Sequence, residues 1–331
     1  MRFPLLADAR RSAAVLRGAL HGTTYDWTRE MPRPKRIMTR VGILIQGFAI
    51  YAGFTRSLIW PLIWPRLAVL VPTVLLIYYI GYWLQNAMLT SEFIRKTQLE
   101  SDQIAARQIQ QALQPTRIEQ PIGYDIETWY QPLRAVGGDY FDIISLPRDR
   151  TLFAVADVSG KGMAAALLSA NIQALVRSLS AAHDDPAVLA SQINLHLCRY
   201  TPANRFATAV FIVLDRNSGN LVYVNAGHNP PLLIHGNSHM FLETSGTALG
   251  WFADATYVVR EAILPPGGAL LTFTDGLPDS IPEIGGRGPE TRIADALGGE
   301  QAKSVTTVRS LMDPSFNEDD VTVVLVKRHD A

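Results

Sequence analysis

The chain has 331 residues, 30 Lys plus Arg against 30 Asp plus Glu, and a single cysteine, Cys198. The length exceeds one ordinary domain, so one large domain with an appended segment is expected. Balanced whole-chain charge says nothing about a polyanionic partner, and no nucleic-acid partner is expected; the lone cysteine excludes an internal disulfide and a cysteine zinc cage and fits a reducing compartment.

Residues 1–40 form a basic segment in which Arg2, Arg10, Arg11, Arg17, Arg29, Arg33, Lys35, Arg36 and Arg40 crowd together. A cytosolic tail that orients a membrane anchor accounts for this, and an amphipathic segment on anionic lipid is the alternative. The apolar run starts too late for a cleaved secretory signal. Within 41–89, the stretch Leu67 to Leu89 is uncharged and long enough to cross a bilayer as a helix. Val41 to Phe54 is apolar but short by itself. If only the second stretch crossed, the basic head and the rest of the chain would lie on opposite sides, so a two-helix transmembrane hairpin is expected. Trp60, Pro61, Trp64 and Pro65 then form its outer turn. The expected location is the inner membrane, multi-pass, with the large domain cytosolic.

Residues 90–120 read as a linker. Thr90 to Gln114 carries Leu99, Ala106, Ile109 and Leu113 on one helical face and stops at Pro115. It is either a solvated spacer or a dimerising switch helix, the second implying a homodimer.

From 121 to 330 strand-like runs dominate: Tyr124–Tyr130, Tyr140–Ser145, Leu152–Asp157, Phe206–Leu214, Leu221–Asn225, Pro231–Ile234, Tyr257–Leu264, Ala269–Phe273 and Val321–Lys327. Helical runs at Met163–Ala182, Pro186–Arg199, Glu290–Leu297 and Ala302–Leu311 interrupt them in groups rather than in alternation. That pattern argues for an α+β fold, with sheets flanked by helices, over a doubly wound parallel sheet.

Aspartates mark the ends of these runs. Asp157 closes the apolar alternation Ala154-Val155-Ala156 and precedes Val158-Ser159-Gly160-Lys161-Gly162; Asp139 follows Gly137-Gly138; Asp275 follows Phe273-Thr274; Asp319 precedes Asp320-Val321-Thr322. Gathering carboxylates is costly, since two charges ~4 Å apart at an effective dielectric of about 20 repel by roughly 4 kcal/mol. No basic cluster stands beside the motifs, so oxygen-preferring divalent ions, Mn²⁺ or Mg²⁺, are the expected counter-charge. Two such ions would activate a water for in-line attack on phosphorus. No G-x-S-x-G elbow and no phosphate loop around Cys198 offers a covalent route. Lys161 is not in a nucleotide loop, because its Gly-Lys is followed by glycine.

The ordered set Gly137-Gly138-Asp139-Tyr140-Phe141-Asp142, Asp157-Val158-Ser159-Gly160-Lys161-Gly162, Phe206-Ala207-Thr208-Ala209, Ala226-Gly227-His228-Asn229-Pro230, Leu249-Gly250, Thr274-Asp275-Gly276 and Asp319-Asp320-Val321-Thr322 resembles the bacterial, SpoIIE-like branch of the metal-dependent serine/threonine protein phosphatases (PPM). The resemblance covers roughly 105–328. It implies a β-sandwich flanked by helices that binds two Mn²⁺ or Mg²⁺. Asp139 would contact both ions, Asp157 with the Val158 carbonyl one of them, and Asp275 and Asp319 the other. Family members commonly have glycine where Val158 stands. Asp320 would orient Asp319, Asp142 would be an outer support or purely structural, and Arg134 would meet the substrate phosphate or simply be exposed. His228 reads as a turn residue. The resemblance implies hydrolysis of phosphoserine or phosphothreonine on a cytosolic regulatory protein, an anti-sigma-factor antagonist being favoured. The alternatives are a diguanylate-cyclase-like nucleotide enzyme, suggested by Gly137-Gly138-Asp139-Tyr140-Phe141, and a non-catalytic signalling scaffold with this fold.

Overall fold

The computed structural model describes residue 42 and residues 44–53, 64–115, 118–298, 303–316 and 318–330. Contacts divide the chain into two units, Met1–Ile94 and Arg95–Ala331. The basic segment 1–40 and Trp60 and Pro61 of the expected outer turn lie outside the described residues, whereas its Trp64 and Pro65 open a helix instead of a turn.

The first unit corrects the membrane expectation. Residues 44–53 are helical. The second apolar stretch is not a separate element but the start of one long helix, α1 (Trp64–Leu113), which contains Pro72. Among the described residues no helix is long and apolar enough to cross a membrane. The hairpin and the multi-pass membrane location are therefore not retained.

In the second unit, α1 runs to Leu113, just ahead of Pro115, whose missing N–H cannot continue a helix. The strands are β1 (Tyr124–Gln131), β2 (Tyr140–Leu146), β3 (Arg150–Val158), β4 (Ala207–Asp215), β5 (Asn220–Ala226), β6 (Leu232–His235), β7 (Ser238–Phe241), β8 (Arg260–Ile263), β9 (Ala269–Phe273) and β10 (Val321–Arg328). They form two sheets, in the orders β1-β10-β9-β6-β7 and β2-β3-β4-β5-β8. All the paired strands are antiparallel.

Strand periodicity explains how the sheets stack. In β3, Phe153 and Val155 face the layer between the sheets, where they meet Val210, Ile212, Val324 and Val326. Leu152, Ala154 and Ala156 face the opposite way, toward α2 (Met163–Ser180) and α3 (Pro186–Tyr200), whose Ile172, Val176, Ile193 and Leu197 complete that layer. A strand covered on both faces reads as a nearly continuous apolar run, and the alanines of β3 leave room for the branched side chains of α2. Each fully buried aliphatic side chain contributes ~1.5–3 kcal/mol. The outer face of the other sheet packs Leu271, Phe273, Val323 and Leu325 against α4 (Gly276–Asp279), α5 (Pro289–Gly298) and α6 (Val305–Arg309). The result is a helix, sheet, sheet, helix sandwich, the α+β arrangement expected.

Local differences have local causes. Only Arg260–Ile263 of the run Tyr257–Leu264 is strand, because Val258 N–H donates instead to the Ser245 carbonyl at 3.0 Å. The edge strand β7 is exposed along Ser238, His239 and Met240 and so has no apolar alternation. The short α6 starts at Ser304, whose Oγ accepts from Thr307 N–H at 3.1 Å.

Candidate metal centre

One end of the sandwich gathers the polar side chains. β2 begins there, β3 ends there, and the β9-to-α4 turn and the start of β10 complete it. Strand alternation places Asp139, beside Phe141, and Asp157, beside Val155, on the side between the sheets. Thr274 and Thr322 extend the matching faces of β9 and β10. Both hydroxyls donate to Asp139 Oδ2, at 2.7 Å and 2.6 Å, in a fully buried setting. Burial, and then the charge of Asp157, push the Asp139 carboxyl well above the usual carboxylate range.

Asp157 is raised to about 7, first by burial and then by the charges of Asp275 and Asp319, with partial relief from a hydrogen bond with Asp139. Asp275 is raised by burial and by Asp319. These couplings place the four expected aspartates in one electrostatic neighbourhood although they come from distant parts of the chain. Asp319 Oδ2 is held by Lys161 Nζ at 2.7 Å, and that ammonium also donates to the Glu318 carbonyl at 2.7 Å.

Asp320 works through the backbone. Its Oδ1 accepts from Leu133 N–H at 2.7 Å and its Oδ2 from Gly138 N–H at 2.6 Å, fixing the turn that presents Asp139. A Cβ on Gly137 would stand 2.7 Å from Asp320 Oδ2, and one on Gly138 would stand 3.1 Å from the Val158 carbonyl oxygen. A Cβ on Gly276 would run into the Asp320 carbonyl oxygen. Glycine in the Gly-Gly-Asp and Thr-Asp-Gly motifs is thus a matter of close backbone approach. After Val158, Gly160 (φ 93) and Gly162 (φ 78) turn the chain through left-handed conformations into α2.

Other expected residues lie elsewhere or play other parts. Asp142 is on the opposite face of β2, where it accepts from Arg177 Nε at 2.6 Å and Nη2 at 3.2 Å and from Tyr140 Oη at 3.3 Å. It anchors α2 to the sheet; an odd spacing of three from Asp139 forces it to the other side of a strand. Arg134 is exposed, with a guanidinium nitrogen 4.0 Å from where a Gly162 Cβ would be. His228 is buried, its Nδ1 2.9 Å from Thr208 Oγ1, and burial lowers it to about 4, so it is a neutral residue of the turn.

Sequence reasoning did not assign Thr274 or Thr322, nor the role of Lys161. It also missed Gln110 of α1, whose Nε2 donates to the Gly137 carbonyl at 2.8 Å while its Oε1 accepts from Gly137 N–H at 3.1 Å. The polar interruptions at alternate positions of β9 and β10, Thr272-Phe273-Thr274 and Val321-Thr322-Val323, are the available signal for the threonines. Gln110 lies in the helix expected to act as a linker or switch, but nothing local singles out its side chain.

The donor set suits a divalent cation. It offers carboxylates and a backbone carbonyl without sulfur, and its mutual repulsion is what such a charge relieves, so hard, oxygen-preferring Mg²⁺ or Mn²⁺ fit best. As placed, the side chains are engaged with one another, with the threonine hydroxyls and with Lys161. Among the described residues no group of three or more His, Cys, Asp or Glu side chains stands ready to hold one ion.

The architecture is that of PP2C-type phosphatase domains. It is similar to the SiaA-PP2C domain of Pseudomonas aeruginosa (TM-score 0.60, 23% identity, covering 71% of this chain and 98% of that one). It is also similar to RsbX, solved in complex with magnesium (TM-score 0.51, 21% identity, 64% of this chain and 98% of that one). Residues 147–329 match the family model of Stage II sporulation protein E (SpoIIE), and the chain belongs to that family. Among curated relatives, it is 27% identical over 190 residues to the phosphoserine phosphatase RsbU of Bacillus subtilis, an alignment covering 57% of this chain and 56% of that protein. The chain spans about half the length of the curated relatives it matches, between 41% and 56%.

Proposed function

We propose that this protein is a metal-dependent phosphatase that removes phosphate from phosphoserine or phosphothreonine on a regulatory protein. The observation that carries the reading is the gathering of buried Asp139 and half-buried Asp157, Asp275 and Asp319 at one end of the sandwich, with Asp139, Asp157 and Asp275 raised in pKa first by burial and then by neighbouring carboxylates. It is joined by the naming of RsbU as a phosphoserine phosphatase. In this reading the four carboxylates and the Val158 carbonyl hold the cations. Divalent ions in such a site lower the pKa of a bound water and neutralise charge on the phosphoryl oxygens.

The chain's own residues then do the positioning. Thr274 and Thr322 orient Asp139 through its Oδ2. Asp320 fixes the turn that carries Asp139. Lys161 balances Asp319 and would yield as a cation takes that carboxylate. Arg134, exposed and near the Gly160–Gly162 turn, would attract the substrate phosphate. An anti-sigma-factor antagonist, which the family resemblance of the motifs implies, is the substrate class we favour. A homodimer through α1 is proposed from the exposed Leu99 and Ile109 along that helix.

The test is hydrolysis of a phosphoserine peptide and of p-nitrophenyl phosphate by the full chain with Mn²⁺. Asp157→Asn and Asp275→Asn are expected to lower the rate by on the order of 100-fold or more, beyond the loss typical of residues that merely support ligands. Rates equal to wild type in both variants would remove the metal-centre reading. Turnover of GTP alone would favour the nucleotide-enzyme alternative.

A further inference from the structure

Beside the centre stands a feature that the phosphatase reading does not use. Trp251 and Phe252 are 56% and 55% exposed, large values for aromatic side chains in a well-packed domain. They are not loosely held. Asn194, itself buried, donates from Nδ2 to the Phe252 carbonyl at 2.9 Å and accepts from Gly250 N–H at 2.8 Å. The turn is further fixed by the paired bonds between Ala207 and Leu249, 2.9 Å and 2.8 Å. A buried amide thus holds a loop whose aromatic side chains face solvent. Trp251 stacks on Phe206 at 4.8 Å between ring centroids, and Phe252 lies 6.0 Å from Trp251 at an interplanar angle of 15°.

The platform is continuous with the metal centre. Asp157 pairs across the sheet with Thr208. Two residues on, Ser159 N–H donates to the Phe206 carbonyl at 2.9 Å and Phe206 N–H donates to Ser159 Oγ at 3.0 Å. Two strand spacings, ~10 Å, separate Asp157 from the Trp251 loop, a distance spanned by about three residues of extended peptide. The intervening turn carries positive charge. Arg205 donates from Nη1 to the Ser159 carbonyl at 2.8 Å, and an Arg134 guanidinium nitrogen stands 4.0 Å from where a Gly162 Cβ would be. Neither guanidinium forms an ion pair among the described residues, whereas the nearest acid on the loop itself, Asp254, lies two residues beyond Phe252.

We infer that Trp251 and Phe252, backed by Phe206, form a docking platform for an apolar side chain of the phosphoprotein substrate, about three to four residues from its phosphorylated residue. Cationic Arg134 and Arg205 flank the path between. This rests on the phosphatase reading and adds a specificity-determining surface to it. A substrate engages both parts: phosphate at the aspartate end, an aliphatic or aromatic side chain on the rings. The platform therefore governs which phosphoprotein is chosen and leaves the hydrolysis of a small ester untouched.

The experiment uses the full chain with Mn²⁺ and three probes: p-nitrophenyl phosphate, a phosphoserine peptide with leucines at the third and fourth positions on both sides, and the same peptide with serines there. Wild type is expected to prefer the leucine peptide by about tenfold or more in kcat/KM, as burial of one such side chain allows. Trp251→Ala and Phe252→Ala should each reduce that preference, and together abolish it, with p-nitrophenyl phosphate turnover within twofold of wild type. That small-ester rate also reports correct folding. Equal kcat/KM for the two peptides in wild type, or a preference that survives both substitutions, overturns the docking inference while leaving the phosphatase reading intact. No turnover of any probe by wild type overturns both. A change in sedimentation on substitution, or loss of vesicle binding, with peptide preference unaltered, would instead assign the rings to a second copy or a lipid surface and also overturn the proposal.

Discussion

Gln110 gives the sharpest test of how the aspartate turn is held. Its carboxamide makes two hydrogen bonds to the Gly137 backbone, 2.8 Å and 3.1 Å, from a helix twenty-seven residues earlier in the chain. Gln110→Ala removes both and leaves the buried Gly137 N–H without its acceptor. At about 1 kcal/mol for each neutral bond the loss is ~2 kcal/mol, roughly a 30-fold shift in the population of the ordered turn. Because Asp139 lies two residues on, the effect should fall on cation binding more than on global stability. The assay is p-nitrophenyl phosphate turnover across a Mn²⁺ titration, with thermal unfolding in parallel. The expected result is a ten- to thirty-fold higher Mn²⁺ requirement, recovered at saturating metal. Gln110→Glu should be worse than alanine, since it sets a carboxylate oxygen against the Gly137 carbonyl. A Mn²⁺ titration of Gln110→Ala that overlays wild type would refute the reasoning.

Three further outcomes are expected. Asp142→Ala should destabilise the fold by ~1–3 kcal/mol, since it removes a buried partner of a half-exposed arginine. Turnover at a temperature well below unfolding should stay within twofold of wild type, and a much larger loss would return Asp142 to the centre. In chelator, the folded-state value of about 7 for Asp157 lies above the ordinary carboxyl value. The folded protein then binds more protons than the unfolded chain between about pH 4 and 7, and stability falls as pH rises through that window. Urea midpoints should drop from pH 5 to pH 8 in chelator, less so in Asp157→Asn, and the drop should vanish with Mn²⁺; a pH-independent midpoint in wild type would count against the carboxylate cluster. Gly276→Ala drives a Cβ into the Asp320 carbonyl oxygen and should cost ~1–3 kcal/mol in thermal or urea unfolding; an unchanged unfolding midpoint would disprove the close approach.

The strands of the sandwich were legible because burial on one or both faces writes itself into the sequence with period two. Leu152–Asp157 reads directly as a covered strand with a carboxylate at its end, and Ala269–Phe273 is strand over the same residues. β7 left no such trace because its side chains face water, and α4 is too short to show a helical period. The membrane hairpin was inferred from uncharged apolar runs and from the side on which the basic head would lie. The second run instead belongs to the beginning of a helix that continues through a charged and amide-rich stretch, and the lack of charge in a run does not register where an element ends.

Residue order alone pointed to Asp139, Asp157, Asp275 and Asp319 as a set and to oxygen-loving divalent ions as their counter-charge, since clustered carboxylates have few other electrostatic remedies. Only the packing of one sheet on the other decided that Thr274 and Thr322 would meet Asp139, that Lys161 would sit on Asp319, and that Asp142 would turn away to Arg177. Those contacts join residues more than a hundred positions apart, or depend on which face of a strand a side chain occupies. The physical reason is that local sequence sets backbone preference and side-chain parity, whereas the pairing of distant hydroxyls and charges is fixed by register between strands and by the depth at which two sheets close.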